Sequence, residues 1–174
     1  MNQFLSEENT NMHREYIRQK RLKYSILEDS VRGIRGADIW DLYRLKISER
    51  DRADSIGLLT EIKLHDIFFS SFSTVRYQRS PRVASIYGNE AAFLNQLYRL
   101  SLTQRYGFVC VYDVNSRIFA KGFDDYEKAF EPGEPLLTID VCEHAYFMDY
   151  GYDKDRYLLA MLPYLDVAKL SARI

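Results

Sequence analysis

An apolar, β-branched run, Leu136-Leu137-Thr138-Ile139, ends in a carboxylate, Asp140, and an imidazole, His144, follows four positions later. Leu136 to Val141 reads as a buried strand. A carboxylate at the end of such a strand has to be paired, protonated or bound to a cation, because burying it bare is costly. If the chain turns into a helix after Val141, Asp140 and His144 converge on one point. Mixed oxygen and nitrogen donors suit iron, manganese or zinc. The same two residues also fit a plainer arrangement, an Asp capping a helix with His as an ordinary side chain. The chain has only three histidines, His13, His65 and His144, so the place of each is informative.

The elements that must position these groups follow from the pattern on either side. Ser6 is placed to cap a helix running from Glu7 towards Leu27. Its basic run (Arg14, Arg18, Lys20, Arg21, Lys23) reads as a solvated face. Arg32 to Gly36 breaks the pattern. A second helical region opens near Ala37, is interrupted by the charged stretch Glu49 to Asp54, and resumes at Ile56 to reach about Phe72. There Leu58, Leu59, Ile62, Leu64, Phe68 and Phe69 form an apolar surface at helical spacing. Glu61 and His65, four apart, are neighbours on one face. Ser80-Pro81 closes this half. Asn89 to Leu102 reads as an amphipathic helix with Ala92, Phe93, Leu97, Tyr98 and Leu100 inward. Gly107 to Asp113 is a strand, Val114 to Arg117 a turn, and Ile118 to Gly122 the return strand. Asp124 to Glu134 is a loop or short helix. The opening stretch supplies the third strand, and Asp153 to Leu165 a closing helix followed by a short terminal one. The expected fold is therefore α+β. An N-terminal helical hairpin (1–79) packs on a C-terminal half (80–174) built of a three-stranded antiparallel sheet and flanking helices.

Composition narrows the function classes. At 174 residues and 47% hydrophobic, the chain can bury a sizeable core. A net charge of −1 gives no bulk signal for nucleic acid. Fourteen Tyr and ten Phe fit interfaces or polar-edged cores. Two cysteines, Cys110 and Cys142, make neither a disulfide framework nor a C-x-x-C pair. Met1 to Thr10 is polar, unlike a signal peptide, and no apolar run approaches the roughly 20 residues of a membrane span. The cytoplasm is the expected location.

The full string Asp140-Val141-Cys142-Glu143-His144-Ala145-Tyr146 resembles the D-x-W-E-H-A-Y signature of the iron/manganese superoxide dismutases, with Cys142 in place of Trp. Leu5 to His13 resembles the opening of that family's first helix, an L-S-x-E-x-x-x-x-H string. His65-Asp66-Ile67-Phe68-Phe69 resembles its second-helix H-x-x-F-W. The resemblance implies one mononuclear iron or manganese ion per chain, held by His13, His65, Asp140 and His144. It implies a pocket wall of Phe69, Phe108 and Cys142. It also implies a homodimer in which Glu143 reaches across the interface to the partner's metal-bound histidine. Ile86-Tyr87-Gly88 and Tyr106-Gly107-Phe108 stand where the family has F-G-S and S-G-W.

The surroundings of the implied metal depart from the family. Its gateway tyrosine falls on Arg21. An interface histidine and its tyrosine partner fall on Ile17 and Phe147, an apolar pair for a polar one. Iron enzymes of the family often carry Gln four before the second-helix His, and manganese enzymes supply it from a later loop. Here Glu61 holds the first place, and the loop around Asp124 and Asp125 has no Gln. Glu61 takes that role either as a protonated donor or as a carboxylate that shifts the metal's potential, or it turns to solvent on a long helix. Arg21 and other basic residues of the first helix would form a cationic mouth for superoxide, an anion. Three functions follow as expectations: a superoxide dismutase, a divergent metal-binding member with lost or altered activity, and a metal-free structural or interaction protein on the same fold.

Overall fold

The computed structural model describes residues 4–171. Helix α1 spans Glu7–Ser30. The Ser6 hydroxyl accepts from the Asn9 N–H at 3.1 Å, and Glu7 and Glu8 sit at the positive end of the helix dipole. Its buried residues, Asn9, Thr10, His13, Ile17 and Tyr24, recur at helical spacing on one face. The upper part of that face is polar, which marks it as facing something other than an oily core.

A short helix α2 (Ile39–Arg44) precedes α3 (Glu49–Ser70). The charged stretch from Glu49 to Asp54 opens α3 and does not interrupt a helix. Ser48 caps it by accepting from the Asp51 N–H at 3.1 Å, and the acidic Glu49 and Asp51 fall in the first turn, where the dipole favours them. The break lies earlier, between Leu45 and Ser48. Helix α3 packs along α1 and onto the last strand. Helix α4 (Pro81–Tyr87) was not expected from the sequence; Ser80 caps it and Pro81 occupies its first turn, where the missing N–H costs nothing. Helix α5 follows (Glu90–Thr103). Phe93 and Leu97 are buried there, whereas Ala92, expected inward, is exposed.

Strands β1 (Phe108–Val114), β2 (Arg117–Phe123) and β3 (Leu137–Asp140) form an antiparallel sheet in the order β2-β1-β3. Asn115 and Ser116, both at positive φ (50° and 62°), make the tight turn between β1 and β2. The β1–β3 register sets Phe108 opposite Asp140. Just before β1, Gly107 has φ +81°, and a Cβ there would meet the Phe123 carbonyl oxygen at 1.9 Å, so only glycine fits. A 3-10 helix (Tyr126–Phe130) bridges β2 to β3. Helices α6 (Glu143–Tyr150) and α7 (Lys154–Met161) and two 3-10 turns close the chain.

The result is an α+β fold with a three-stranded antiparallel sheet in the C-terminal half. The core gathers Leu64 and Phe68 of α3 with the sheet and with Tyr157, Leu158 and Met161 of α7. A second cluster, centred on Ile34, Leu42 and Ile56, fills the far end of the helical hairpin. Among the described residues no helix is long and apolar enough to cross a membrane.

Candidate metal centre

Four elements deliver one donor each. Asp140 is the last residue of β3, and its position is fixed from two sides. Thr138, two residues earlier, donates its hydroxyl to the Leu64 carbonyl at 2.9 Å, and its N–H reaches the Ser71 hydroxyl at 2.9 Å. Both contacts tie β3 to α3, which carries His65. From the other side the buried Tyr157 hydroxyl donates to the Asp140 carbonyl at 3.0 Å. His144 lies in the first turn of α6, four residues on. His13 lies on α1, whose first turn docks on α6 through Asn9. The Asn9 amide donates to the Ala145 carbonyl at 3.2 Å and to Asp149 at 3.0 Å.

The ligand atoms of His13, His65, Asp140 and His144 all lie within 4.8 Å of one another. Asp140 Oδ2 is 3.2 Å from His13 Nε2, 3.2 Å from His65 Nε2 and 3.0 Å from His144 Nε2. His65 Nδ1 stands 2.7 Å from the Glu61 carbonyl, an acceptor only. That bond places the proton on Nδ1 and leaves Nε2 a lone pair aimed inward, 3.3 Å from His144 Nε2. Asp140 Oδ1 is already satisfied by the Cys142 N–H at 2.9 Å. Asp140 Oδ2 and His13 Nε2, both buried, make no hydrogen bond of proper geometry in spite of their proximity. Converging lone pairs and a carboxylate oxygen without donors are unfavourable in a protein interior. A cation at their centre resolves all of them together. The residues present thus fit a metal, and three nitrogens with one carboxylate oxygen suit a first-row transition ion.

Electrostatics agree with the geometry. Burial works against ionising Asp140, yet His144, His13 and His65 together hold it well below the usual carboxylate range. Burial dominates at His13 and lowers it, keeping the ring neutral with a lone pair available. At His144 burial is outweighed by Asp140, and the imidazole is raised: the carboxylate attracts a positive charge to this spot.

The wall is aromatic. Phe69 and Phe68 pack on His13 with ring centres 5.0 and 5.3 Å away, and Phe108 meets His65 edge-on at 4.9 Å. Tyr126 extends the wall, 5.8 Å from Phe108, and its hydroxyl lies 3.3 Å from Cys142 Sγ. Cys142 also accepts from the Gly107 N–H at 3.0 Å; burial pushes its thiol up to about 12, so it is a neutral packing group. The three other donors are sealed, but the His144 side chain remains 29% exposed, which makes its side the open one. Glu143 is exposed on that side, and Phe147 is 45% exposed.

At the open side stand two residues that the sequence did not single out for this role, Tyr16 and Lys20. The Tyr16 ring stacks on His144 at 4.6 Å, and its hydroxyl donates to Glu61 Oε1 at 2.5 Å. Lys20 Nζ lies 2.8 Å from Glu61 Oε2. Burial and then the Glu61 carboxylate raise the Tyr16 phenol far above its ordinary value, so it keeps its proton. Glu61 is buried and does not turn to solvent. Arg21 is not brought to the cluster. It forms a two-pronged pair with Asp66 at 2.5 and 2.6 Å on the exposed outer face. One residue is 100° of helix rotation, enough to send Lys20 inward and Arg21 out. Tyr16 and Lys20 follow His13 by three and seven positions, the spacing of one helix face, and that was the available signal. Ile17 is buried on the same helix.

Comparison with known sequences places this site in context. Residues 78–173, more than half of the chain, match the family described as iron/manganese superoxide dismutases, C-terminal domain. No curated protein matches the chain.

Proposed function

The chain belongs to the iron/manganese superoxide dismutase family, and from that premise we propose that it converts two superoxide anions and two protons into dioxygen and hydrogen peroxide. The centre would be one iron or manganese ion held by His13, His65, Asp140 and His144. The observation that carries the reading is the pair of buried, unpartnered ligand atoms, Asp140 Oδ2 and His13 Nε2, within a four-donor cluster. The bound ion would supply one-electron chemistry by alternating between trivalent and divalent states. Every other part of the reaction falls to the protein. Asp140 contributes the one anionic donor. The Glu61 carbonyl fixes the His65 tautomer. Phe68 and Phe69 cover His13 and Phe108 covers His65, so that small anions approach past the part-exposed His144. Tyr16 holds a proton on its hydroxyl at that entrance, aimed at Glu61.

The exposed face of α6 supports a symmetric homodimer. Phe147, Met148 and Tyr152 expose apolar surface beside Glu143, and Phe147 and Tyr152 pack edge-to-face at 5.0 Å. In such a dimer Glu143 of one chain would meet the partner's metal-bound histidine, as the resemblance implies.

A second reading, a metal-binding member with altered chemistry, is favoured by one feature. A carboxylate, Glu61, stands where the family resemblance calls for an amide. Elemental analysis of the natively expressed protein, followed by stopped-flow superoxide decay with oxygen and peroxide measured together, separates the two. Dismutation yields oxygen and peroxide in equal amounts. Peroxide without oxygen would assign a reductase, and metallated protein that leaves superoxide decay unchanged would end the dismutase reading.

A further inference from the structure

Glu61 is a hard oxygen donor one helical turn from His65, with its side chain only 6% exposed. It borders the cluster through Tyr16, whose hydroxyl donates to it and whose ring stacks on His144. A buried carboxylate beside a cluster of this kind is itself a natural ligand for iron or manganese. Yet it is not one of the four converging donors. Its two oxygens are spent elsewhere: Oε1 takes the Tyr16 hydroxyl at 2.5 Å, and Oε2 takes the Lys20 ammonium at 2.8 Å.

The grip comes from one helix. Tyr16 and Lys20 are one turn apart on α1, and the Lys20 ammonium lies over the Tyr16 ring, 4.9 Å from its centre. Tyr16 is braced in turn by His144. The two side chains hold Glu61, on α3, from a fixed direction.

We propose that Lys20 is a positioning residue that keeps the Glu61 carboxylate off the metal, so that a coordination position beyond the four protein donors stays free for a small anion. The inference rests on the metal reading above. Without Lys20, Oε2 would be a buried charge with no partner, a costly state. The neighbouring cation would then claim it, and Glu61 would fill the position that an anion needs.

Azide, a small anion that coordinates metals, tests this by absorption titration of the metal-loaded protein. Wild type, K20M, E61Q and the K20M/E61Q double variant are compared after metal content and folding have been checked. Wild type and E61Q should bind azide with similar affinity. K20M should bind it at least about tenfold more weakly, given what an unpaired buried charge costs. Its spectrum before azide is added should already be altered by the added carboxylate. In the double variant the affinity should return to that of E61Q, because the amide does not compete. Should K20M fail to fold, K20Q stands in for it in both backgrounds. Wild-type affinity in K20M would overturn the clamp. So would a double variant as weak as K20M, which would make Lys20 a direct attractor of anions. Metal-loaded wild type that binds no azide would overturn it as well. Azide reports coordination whether or not superoxide is dismuted, so loss of the dismutase reading leaves the clamp standing. Wild type that takes up no metal would overturn both.

Discussion

Two carboxylates are buried at or beside the cluster, Asp140 at the end of β3 and Glu61 on α3, and their surroundings are opposite. Asp140 is 0% exposed, and its Oδ2 faces three imidazole nitrogens with no proper hydrogen bond. Glu61 is 5% exposed, and each of its oxygens is matched to a donor, Tyr16 and Lys20. Burial alone therefore does not make a ligand. An oxygen left without donors among lone pairs points to a cation, whereas one supplied with an O–H and an ammonium is already neutralised. The same comparison separates the ligand set from the residues around it.

Exchanging each carboxylate for its amide should give the largest effect and the sharpest contrast. Asp140→Asn removes the only anionic donor of the four. Metal content after native purification should fall at least about tenfold, since changes in supporting groups alone cost 10–100-fold in affinity. Glu61→Gln should leave metal content close to wild type. Elemental analysis of both proteins decides the matter, and an Asp140→Asn protein that still carries full metal would break the contrast.

Chelation asks the same question of stability. A ligand present at 1,000 times its dissociation constant stabilises the folded state by about 4 kcal/mol. For a chain of this length that corresponds to a melting shift of roughly 10 °C. Wild type and Glu61→Gln should both lose this increment on metal removal, as followed by calorimetry. Asp140→Asn should be indifferent to the chelator. Equal melting temperatures for loaded and stripped wild type would mean that the orphaned atoms are satisfied in some other way.

The groups that aim Asp140 should give smaller effects. Tyr157→Phe removes the buried donor to the Asp140 carbonyl, and Thr138→Val removes the tie to Leu64. Each should cost about 1–2 kcal/mol in urea unfolding, the usual range for a buried hydrogen bond whose partner is stranded. Because both fix backbone and not ligand chemistry, metal content should change less than with Asp140→Asn. A variant that loses metal as fully as the ligand substitution would move Tyr157 or Thr138 from support into the site.

What the sequence disclosed follows the same division. The convergence of His13, His65, Asp140 and His144 was readable because each lies in a local string that resembles one of the family's, and that resemblance implies that the four meet at one ion. The sheet was readable from local pattern: short continuous apolar runs flank Asn115-Ser116, and a two-residue turn admits one register. The surroundings of Glu61 were not. Whether Tyr16, Lys20 or Arg21 meets it depends on the rotation of α1 against α3, and 100° per residue makes a one-position error a change of face. Arg21 accordingly meets Asp66 outside, and Lys20 takes the inner place. The start of α3 was missed because a charged run from Glu49 to Asp54 reads as a break unless Ser48 is seen as its cap. Helix α4 is too short for periodicity to register, although Ser80-Pro81 is a start signal.

A third carboxylate, Asp149 on α6, extends the comparison to a half-buried position, where the smallest effect belongs. It accepts from the Ser6 N–H at 2.8 Å and from the Asn9 amide at 3.0 Å, which fastens the start of α1 to α6 and so holds His13 in line with His144. Burial acts against its ionisation, but these hydrogen bonds prevail, and its folded value lies below the ordinary one. A group lowered on folding stabilises the protein above its unfolded pKa, roughly 4 for Asp, and that stability is lost as pH falls through the folded value. Asp149→Asn cannot titrate. The stability difference between wild type and Asp149→Asn should therefore be flat above about pH 5 and shrink as pH falls below about 4. Because Asp149 is only half-buried and solvent screens its charge, the difference should be smaller than for Tyr157→Phe. Urea unfolding of the metal-free proteins across that range measures it without interference from ligand protonation. A difference that stays constant, or widens in acid, would show that the fastening of α1 does not depend on the charge of Asp149.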